Sequence, residues 1–190
     1  MSDNGYIFKE GSSNDIPDAL SLRAKLFVEM GVENAALLDD TGARLFEIYS
    51  AAYEAREIIH YFAVGKNGET AAVAGALLKR DFPYLFFNPG FYGWIIDVYT
   101  EQEHRNRGLA TRLLALTHEW LVKKGVREAK LISAGTGPRR LYERLGYRST
   151  WEMSFNLSGE PTYNEFIDAN SADNRTKAVP VRLYNFVDRL

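Results

Sequence analysis

Arg105, Asn106, Arg107 and Gly108 stand directly before an amphipathic pattern that opens at Leu109 and Ala110. Val98, Tyr99 and Thr100 close the apolar run on their other side. The order reads as strand, basic turn, helix. A helix start carries unpaired backbone N–H groups and a partial positive charge, so it attracts phosphate. Glycine lets a backbone approach a ligand closely, and guanidinium groups bond phosphate oxygens in pairs. The chemistry open to this segment is that of a pyrophosphate cradle, with the N–H groups from Arg105 to Thr111 as donors. An ordinary capped helix with solvated arginines is the bland alternative.

Other chemistries are excluded by composition. The chain has no cysteine, so it has no disulfide, no thiolate metal site and no cysteine acyl-enzyme. Its three histidines, His60, His104 and His118, are far apart with no metal-ligand spacing, and no metal site is expected. His104 borders the basic turn; an exposed loop histidine is favoured over a place near the ligand. His118 falls on the polar side of its helix and is expected to face solvent. The net charge of −2 gives no basic field that points to nucleic acid. No apolar run is long enough to span a bilayer, so no membrane partner is expected. Met1–Gly5 lacks the basic and apolar regions of a signal peptide, which makes the cytoplasm the expected location.

The elements that must position the turn follow from hydrophobic spacing. Tyr6–Glu10 reads as a first strand. A helix capped by Asn14 or Asp15 is expected to run to Met30, with Leu22, Leu26 and Met30 inward and Gly31 as its stop. A second helix is expected over about 41–57, with Leu45, Ile48 and Ala52 facing inward. Ile59–Gly65 and Ala71–Leu78 flank Asn67-Gly68, a hairpin-turn pair. Asp81–Phe91 holds Phe82, Tyr84, Phe86, Phe87 and Phe91; packing of these rings on the sheet is favoured over an acceptor-site wall or subunit contact. Leu109, Leu113, Leu116 and Trp120 form the buried stripe of the next helix, which Lys123, Lys124 and Gly125 close. Glu128–Ala134 reads as a strand. Pro138 opens a short helix to Leu145 that Gly146 stops, and Tyr147–Leu157 supplies one or two closing strands. The fold class is α/β (α+β), a mixed central sheet with helices on both faces. Residues 1–158 form one domain, and 159–190 are an extension of uncertain structure. Within it Val181–Leu190 regains helical spacing; its apolar face must dock on the domain or on a second subunit, and a homodimer is expected.

The spacing Arg105-x-x-Gly108-x-Ala110 resembles the acyl-CoA signature of the GNAT N-acetyltransferase superfamily. Upstream lies the strand Tyr92–Tyr99. Downstream, Leu141-Tyr142-Glu143-Arg144-Leu145-Gly146-Tyr147 resembles the family's closing motif L-Y-x-x-x-G-[F/Y], and Trp151–Phe155 fits its last strand. The resemblance covers roughly Ile59 to Leu157 well and the first helices loosely. It implies the GNAT fold, acetyl-CoA as cosubstrate, and direct acetyl transfer to a primary amine on a small molecule or peptide.

The resemblance also implies site roles. Ile95–Tyr99 would splay from Lys130–Ala134 at a bulge and leave room for the pantetheine arm. Backbone N–H groups near Val98 and Tyr99 would polarise the acyl carbonyl. The cofactor site is then Val98, Tyr99, Thr100, Arg105, Asn106, Arg107, Gly108, Leu109, Ala110 and Thr111. Tyr142 would be the catalytic acid for the leaving thiolate; a phenol has a reference pKa of about 10, so it holds its proton at neutral pH. A core tyrosine is the alternative. Glu101, Glu103 and Glu152 are candidate proton acceptors, and none is singled out. Gly135 and Pro138 stand where many relatives carry asparagine and alanine, which puts the usual asparagine contact in doubt; backbone N–H groups of Ala134-Gly135-Thr136-Gly137 are the substitute, and a loop shaped by its two glycines is the alternative. Glu29, Glu33, Asp39 and Asp40 would make the acceptor cleft acidic and suit a cationic amine, but solvated helix ends and a polar loop are the favoured explanation. The alternatives are a non-catalytic acyl-CoA-binding or regulatory module on the same fold, and a nucleic-acid or ribosome-associated protein using Arg105, Arg107, Arg139 and Arg140.

Overall fold

Ala71, Ala72, Ala74, Gly75 and Ala76 give one strand almost no side-chain bulk, a composition suited to the crowded middle of a sheet with helices on both sides. The computed structural model describes residues 2–3, 5–30, 41–83, 90–133 and 136–152. In it this strand, β4 (Thr70–Arg80), lies between β3 (Ile58–Val64) and β5 (Phe91–Thr100). β1 (Ser2–Asp3) and β2 (Tyr6–Glu10) extend the sheet beyond β3, and β6 (Ala129–Lys130) lies beyond β5. The sheet order is β1-β2-β3-β4-β5-β6. All pairs are antiparallel except β5–β6, which is parallel. A parallel pair needs a crossover, and α3 (Leu109–Lys123) supplies it.

Strand alternation sorts the core into two layers. Ile59, Tyr61 and Ala63 point to the face covered by α3, where Leu109, Leu113, Leu114 and Leu121 are buried. Burial of each such leucine contributes roughly 1.5–3 kcal/mol. Ile58, His60 and Phe62 point to the other face, under α1 (Ile16–Glu29) and α2 (Thr41–Glu54). α4 (Thr136–Arg144) sends Tyr142 into the α3 layer.

The expected mixed sheet with helices on both faces is present. Asp15 sits at the start of α1, with Pro17 in its first turn. Gly125, at φ +77°, follows the C-cap of α3, and Pro138 lies in the first turn of α4. The hairpin at Asn67-Gly68 is closed by Gly68 N–H to the Gly65 carbonyl, 3.1 Å.

Several expectations are corrected. α2 ends at Glu54, and Ile48 points outward at 54% exposure. Tyr49 takes the inward place, with Leu45 and Ala52 packed beside it. The α2 stripe therefore steps Leu45–Tyr49–Ala52. Of the strand expected over 128–134, among the described residues only Ala129 and Lys130 pair, and no strand forms over the described residues 147–152. Phe91 begins β5 rather than ending a loop. Tyr84, Phe86 and Phe87, Gly31, Gly135, the rest of the closing strand and the extension 159–190 lie outside the described residues.

Candidate functional site

β5 and β6 part early. Gly93 pairs with Ala129 and Trp94 with Lys130; beyond that β5 continues to Thr100 with no partner on that side among the described residues. On its other side β5 is paired with β4, but the register shifts: Gly75 faces Ile96 and Val73 faces Tyr99. Two β5 residues, Asp97 and Val98, thus oppose the single residue Ala74, which is a β-bulge. Asp97 sits at φ +55°.

The bulge resets which N–H groups face the open edge. Gly93 N–H donates across to the Glu128 carbonyl, whereas Glu101 N–H donates the other way, to the Ala71 carbonyl. In an unbroken strand these two odd-numbered residues would point to the same side. The extra residue at Asp97 switches the parity, so Val98 and Thr100 turn their N–H groups to the open edge and Tyr99 turns its own to β4. Within the expected Val98–Tyr99 pair, Val98 and not Tyr99 has an N–H available on that edge.

The chain then runs through a 3-10 turn, Gln102–His104, to the basic turn. Asn106 at φ +60° and Gly108 at φ +77° shape it, with Gly108 at the N-cap of α3. A Cβ on Gly108 would meet no protein atom within 4 Å, so the space in front of the helix is open among the described residues. The ladder of α3 begins with Arg112 N–H to the Gly108 carbonyl, which leaves the N–H groups of Leu109, Ala110 and Thr111 ahead of it. Leu109 contributes backbone only, since its side chain is buried in the α3 layer.

The arginines are anchored rather than extended. Arg105 donates from Nε to the Thr100 carbonyl at 2.9 Å and pairs with Glu29 on α1, and its own N–H is used by the Gln102 carbonyl. Arg107 donates to the Tyr6 hydroxyl at 2.9 Å and to the Glu103 carbonyl at 3.0 Å. Because Tyr6 accepts from Arg107, its proton goes to His104 Nδ1, 2.7 Å away. His104 is therefore a half-buried link between β2 and the turn, not an exposed loop histidine. The donors left for an anion are chiefly backbone groups from Asn106 to Thr111. Arg139, in the nucleic-acid alternative, is paired with Glu143.

Tyr142 is 9% exposed and meets Tyr147 edge-to-face at 5.7 Å. It lines a cleft of about 240 Å³ with Lys130, Leu131, Ser133, Tyr147 and Glu152. Ser133 Oγ in this cleft is buried with no hydrogen-bond partner among the described residues. His118 does not face solvent as expected: Nε2 lies 2.7 Å from the Tyr147 hydroxyl, and burial lowers its pKa. Of the candidate proton acceptors, Glu101 is paired with Lys25 and Glu152 with Lys130. Among the described residues no group of side chains has the makings of a metal site, and no helix is long and apolar enough to cross a membrane.

A cluster missed by sequence reasoning lies behind the bulge. Asp97 is 3% exposed and His60 fully buried. Asp97 Oδ1 pairs with Arg23 of α1; Oδ2 accepts from Tyr49 of α2 at 2.6 Å and from His60 Nε2 of β3 at 2.9 Å. His60 Nδ1 lies 2.9 Å from the Tyr53 hydroxyl, which donates to it when the ring proton is on Nε2. Gly75 faces His60 across the sheet, and a Cβ there would come within 2.6 Å of the ring. Burial pushes the Asp97 carboxyl up, but Arg23, His60 and Tyr49 together outweigh it and hold the pKa at about 2. Burial and then the Asp97 charge raise the Tyr49 phenol. A carboxyl depressed in the fold stabilises it above its unfolded pKa and loses that contribution as pH falls through the folded value. The wild type is therefore expected to lose on the order of 2 kcal/mol between about pH 4 and pH 2 through this one group. Denaturant titrations of wild type and Asp97→Asn across that interval check it; the variant should show a shallower decline.

Known proteins share this fold. The model of the family described as "Acetyltransferase (GNAT) family" matches residues 31–147. No curated protein matches the sequence. Among solved structures, a GCN5-related N-acetyltransferase from Ralstonia eutropha superposes with a TM-score of 0.72 at 20% identity, covering 82% of this chain and 100% of its own. A predicted acetyltransferase with acetyl-CoA from Clostridium acetobutylicum gives 0.71 at 23% identity, covering 80% and 96%. Glucosamine-6-phosphate N-acetyltransferase from Arabidopsis thaliana gives 0.60 at 15% identity, covering 80% and 99%.

Proposed function

Because the chain belongs to the acetyltransferase (GNAT) family and has its fold, we propose that it transfers the acetyl group of acetyl-CoA to a primary amine by direct attack. The observation that carries the reading is the opening of β5 from β6 immediately before the turn that starts α3. An extended thioester arm fits that opening, with its pyrophosphate at the N-terminus of α3. Val98 N–H, on the open edge, would bond the acyl oxygen as it gains charge; one such oriented donor contributes roughly 3 kcal/mol. The amine nitrogen bonds to the carbonyl carbon, the C–S bond breaks, and Tyr142 gives its proton to the leaving thiolate. The proton lost by the nitrogen passes to solvent, and solvent returns one to the Tyr142 phenolate; no carboxylate is assigned to receive it. The acceptor is a small-molecule or peptide amine, and the chain acts as a cytoplasmic homodimer with residues 1–158 as its catalytic domain.

Turnover against a panel of amines with acetyl-CoA, read by thiol release, tests the reading. Binding of acetyl-CoA without turnover on any amine would assign a non-catalytic acyl-CoA-binding module instead. Direct transfer requires both substrates on the enzyme together, so initial-rate plots are expected to intersect. Parallel plots with an acylated protein seen by mass spectrometry would overturn direct transfer.

A further inference from the structure

The strand β5 carries a charged residue, in a left-handed conformation, at the point where its register with β4 shifts. Left-handed backbone at a non-glycine residue persists only where surrounding contacts enforce it. Here Arg23, Tyr49 and His60 reach Asp97 from three different elements, and Tyr53 fixes His60 in turn. Stability alone does not call for this. Buried ion pairs are often replaceable by apolar residues at no cost, and an unbulged strand would avoid both the charge and the strain. An unbulged strand would also leave Val98 N–H turned toward β4. Ile96 packs with the α1–α2 layer and Ile95 with the α3 layer, while Asp97 follows Ile96 onto the same face. The side chain of Asp97 thus anchors the residue that switches the parity of the strand.

We propose that Asp97, clamped by Arg23, Tyr49 and His60, is a positioning residue that holds the β5 bulge and so aims Val98 N–H at the acyl carbonyl. The clamp lies on the α1–α2 side of the sheet, and the group it positions lies in the strand's open edge. This inference rests on the acetyl-transfer reading. It adds residues outside the phosphate turn to the machinery, none of which touches the acyl group.

The test uses the full chain with acetyl-CoA whose carbonyl is isotope-labelled, and reads the bound carbonyl stretch by difference infrared spectroscopy. It needs no acceptor. Wild type is expected to bind and to lower the stretch relative to free acetyl-CoA. Tyr49→Phe removes one hydrogen bond to Asp97 and keeps the ring; Asp97→Asn removes the charge. Both are expected to bind acetyl-CoA within about twofold of wild type yet lose at least half of the shift, and to lower kcat about tenfold or more once an acceptor is known. An unchanged stretch in both folded variants overturns the clamp. Loss of binding together with loss of the shift does so as well, because the cluster would then be holding the cradle as a whole. An unfolded Tyr49→Phe protein would show that the hydroxyl serves only the fold. Failure of the wild type itself to bind acetyl-CoA would instead defeat the acetyl-transfer reading on which the proposal stands.

Discussion

Gly108→Val is expected to weaken CoA binding by at least about a hundredfold, close to 3 kcal/mol. Two effects combine. Gly108 occupies φ +77°, where a β-branched residue is strained by about 1–2 kcal/mol or more. Its missing side chain also leaves open the space ahead of Leu109, Ala110 and Thr111, whose N–H groups precede the α3 ladder. Valine would put two methyl groups there. Gly125, at the other end of the same helix, has the same φ of +77° and equally open surroundings. Gly125→Val therefore carries the same backbone strain with no ligand beside it. Calorimetric titration should show near-normal CoA affinity for Gly125→Val and a large loss for Gly108→Val, at similar costs in stability. Equal affinities for the two variants would remove the phosphate cradle from this turn.

Tyr142→Phe is expected to lower kcat on the order of a hundredfold while leaving acetyl-CoA affinity nearly intact. Only the hydroxyl is lost; the ring keeps its edge-to-face contact with Tyr147 and its place in the α3 layer. If the phenol protonates the leaving thiolate, an acetyl donor with a more acidic thiol should narrow the gap between variant and wild type. An unchanged kcat, with chemistry shown to limit the rate, would make Tyr142 a core residue.

How much of this was legible in the sequence depends on how local each feature is. The turn at Asn67-Gly68, the glycine after Lys124 and the proline in the first turn of α4 are set by neighbours within a turn or two, and the sequence shows them directly. The α3 stripe follows its pattern at Leu109 and Leu113, but Leu114, Thr117 and Leu121 take the deepest places, and Leu116 and Trp120 are only partly buried. The spacing of α2 does not separate Ile48 from Tyr49, because the two are adjacent on the helix and both are apolar enough to sit inward. Tyr49 wins because its hydroxyl has a buried partner in Asp97. β6 is shorter than its composition suggests because apolar residues continue past Lys130, and pairing, not composition, ends a strand. His118 fell on the polar side by pattern, yet Tyr147, brought in by α4, covers it. The clamp was invisible for a stronger reason: Arg23, Tyr49, His60 and Asp97 come from four elements, and no spacing links them. One signal was there. Asp97 is a lone carboxylate inside Trp94-Ile95-Ile96-Asp97-Val98, and a charge in a buried strand needs partners.

The central claim is that the opening beside β5 and the start of α3 together hold acetyl-CoA. Isothermal titration of the wild-type chain with acetyl-CoA tests it most directly. Saturable binding, with a matching rise in melting temperature, is the result expected for a ligand held by the native state alone. Absence of binding heat and of any thermal shift at millimolar acetyl-CoA would contradict the account.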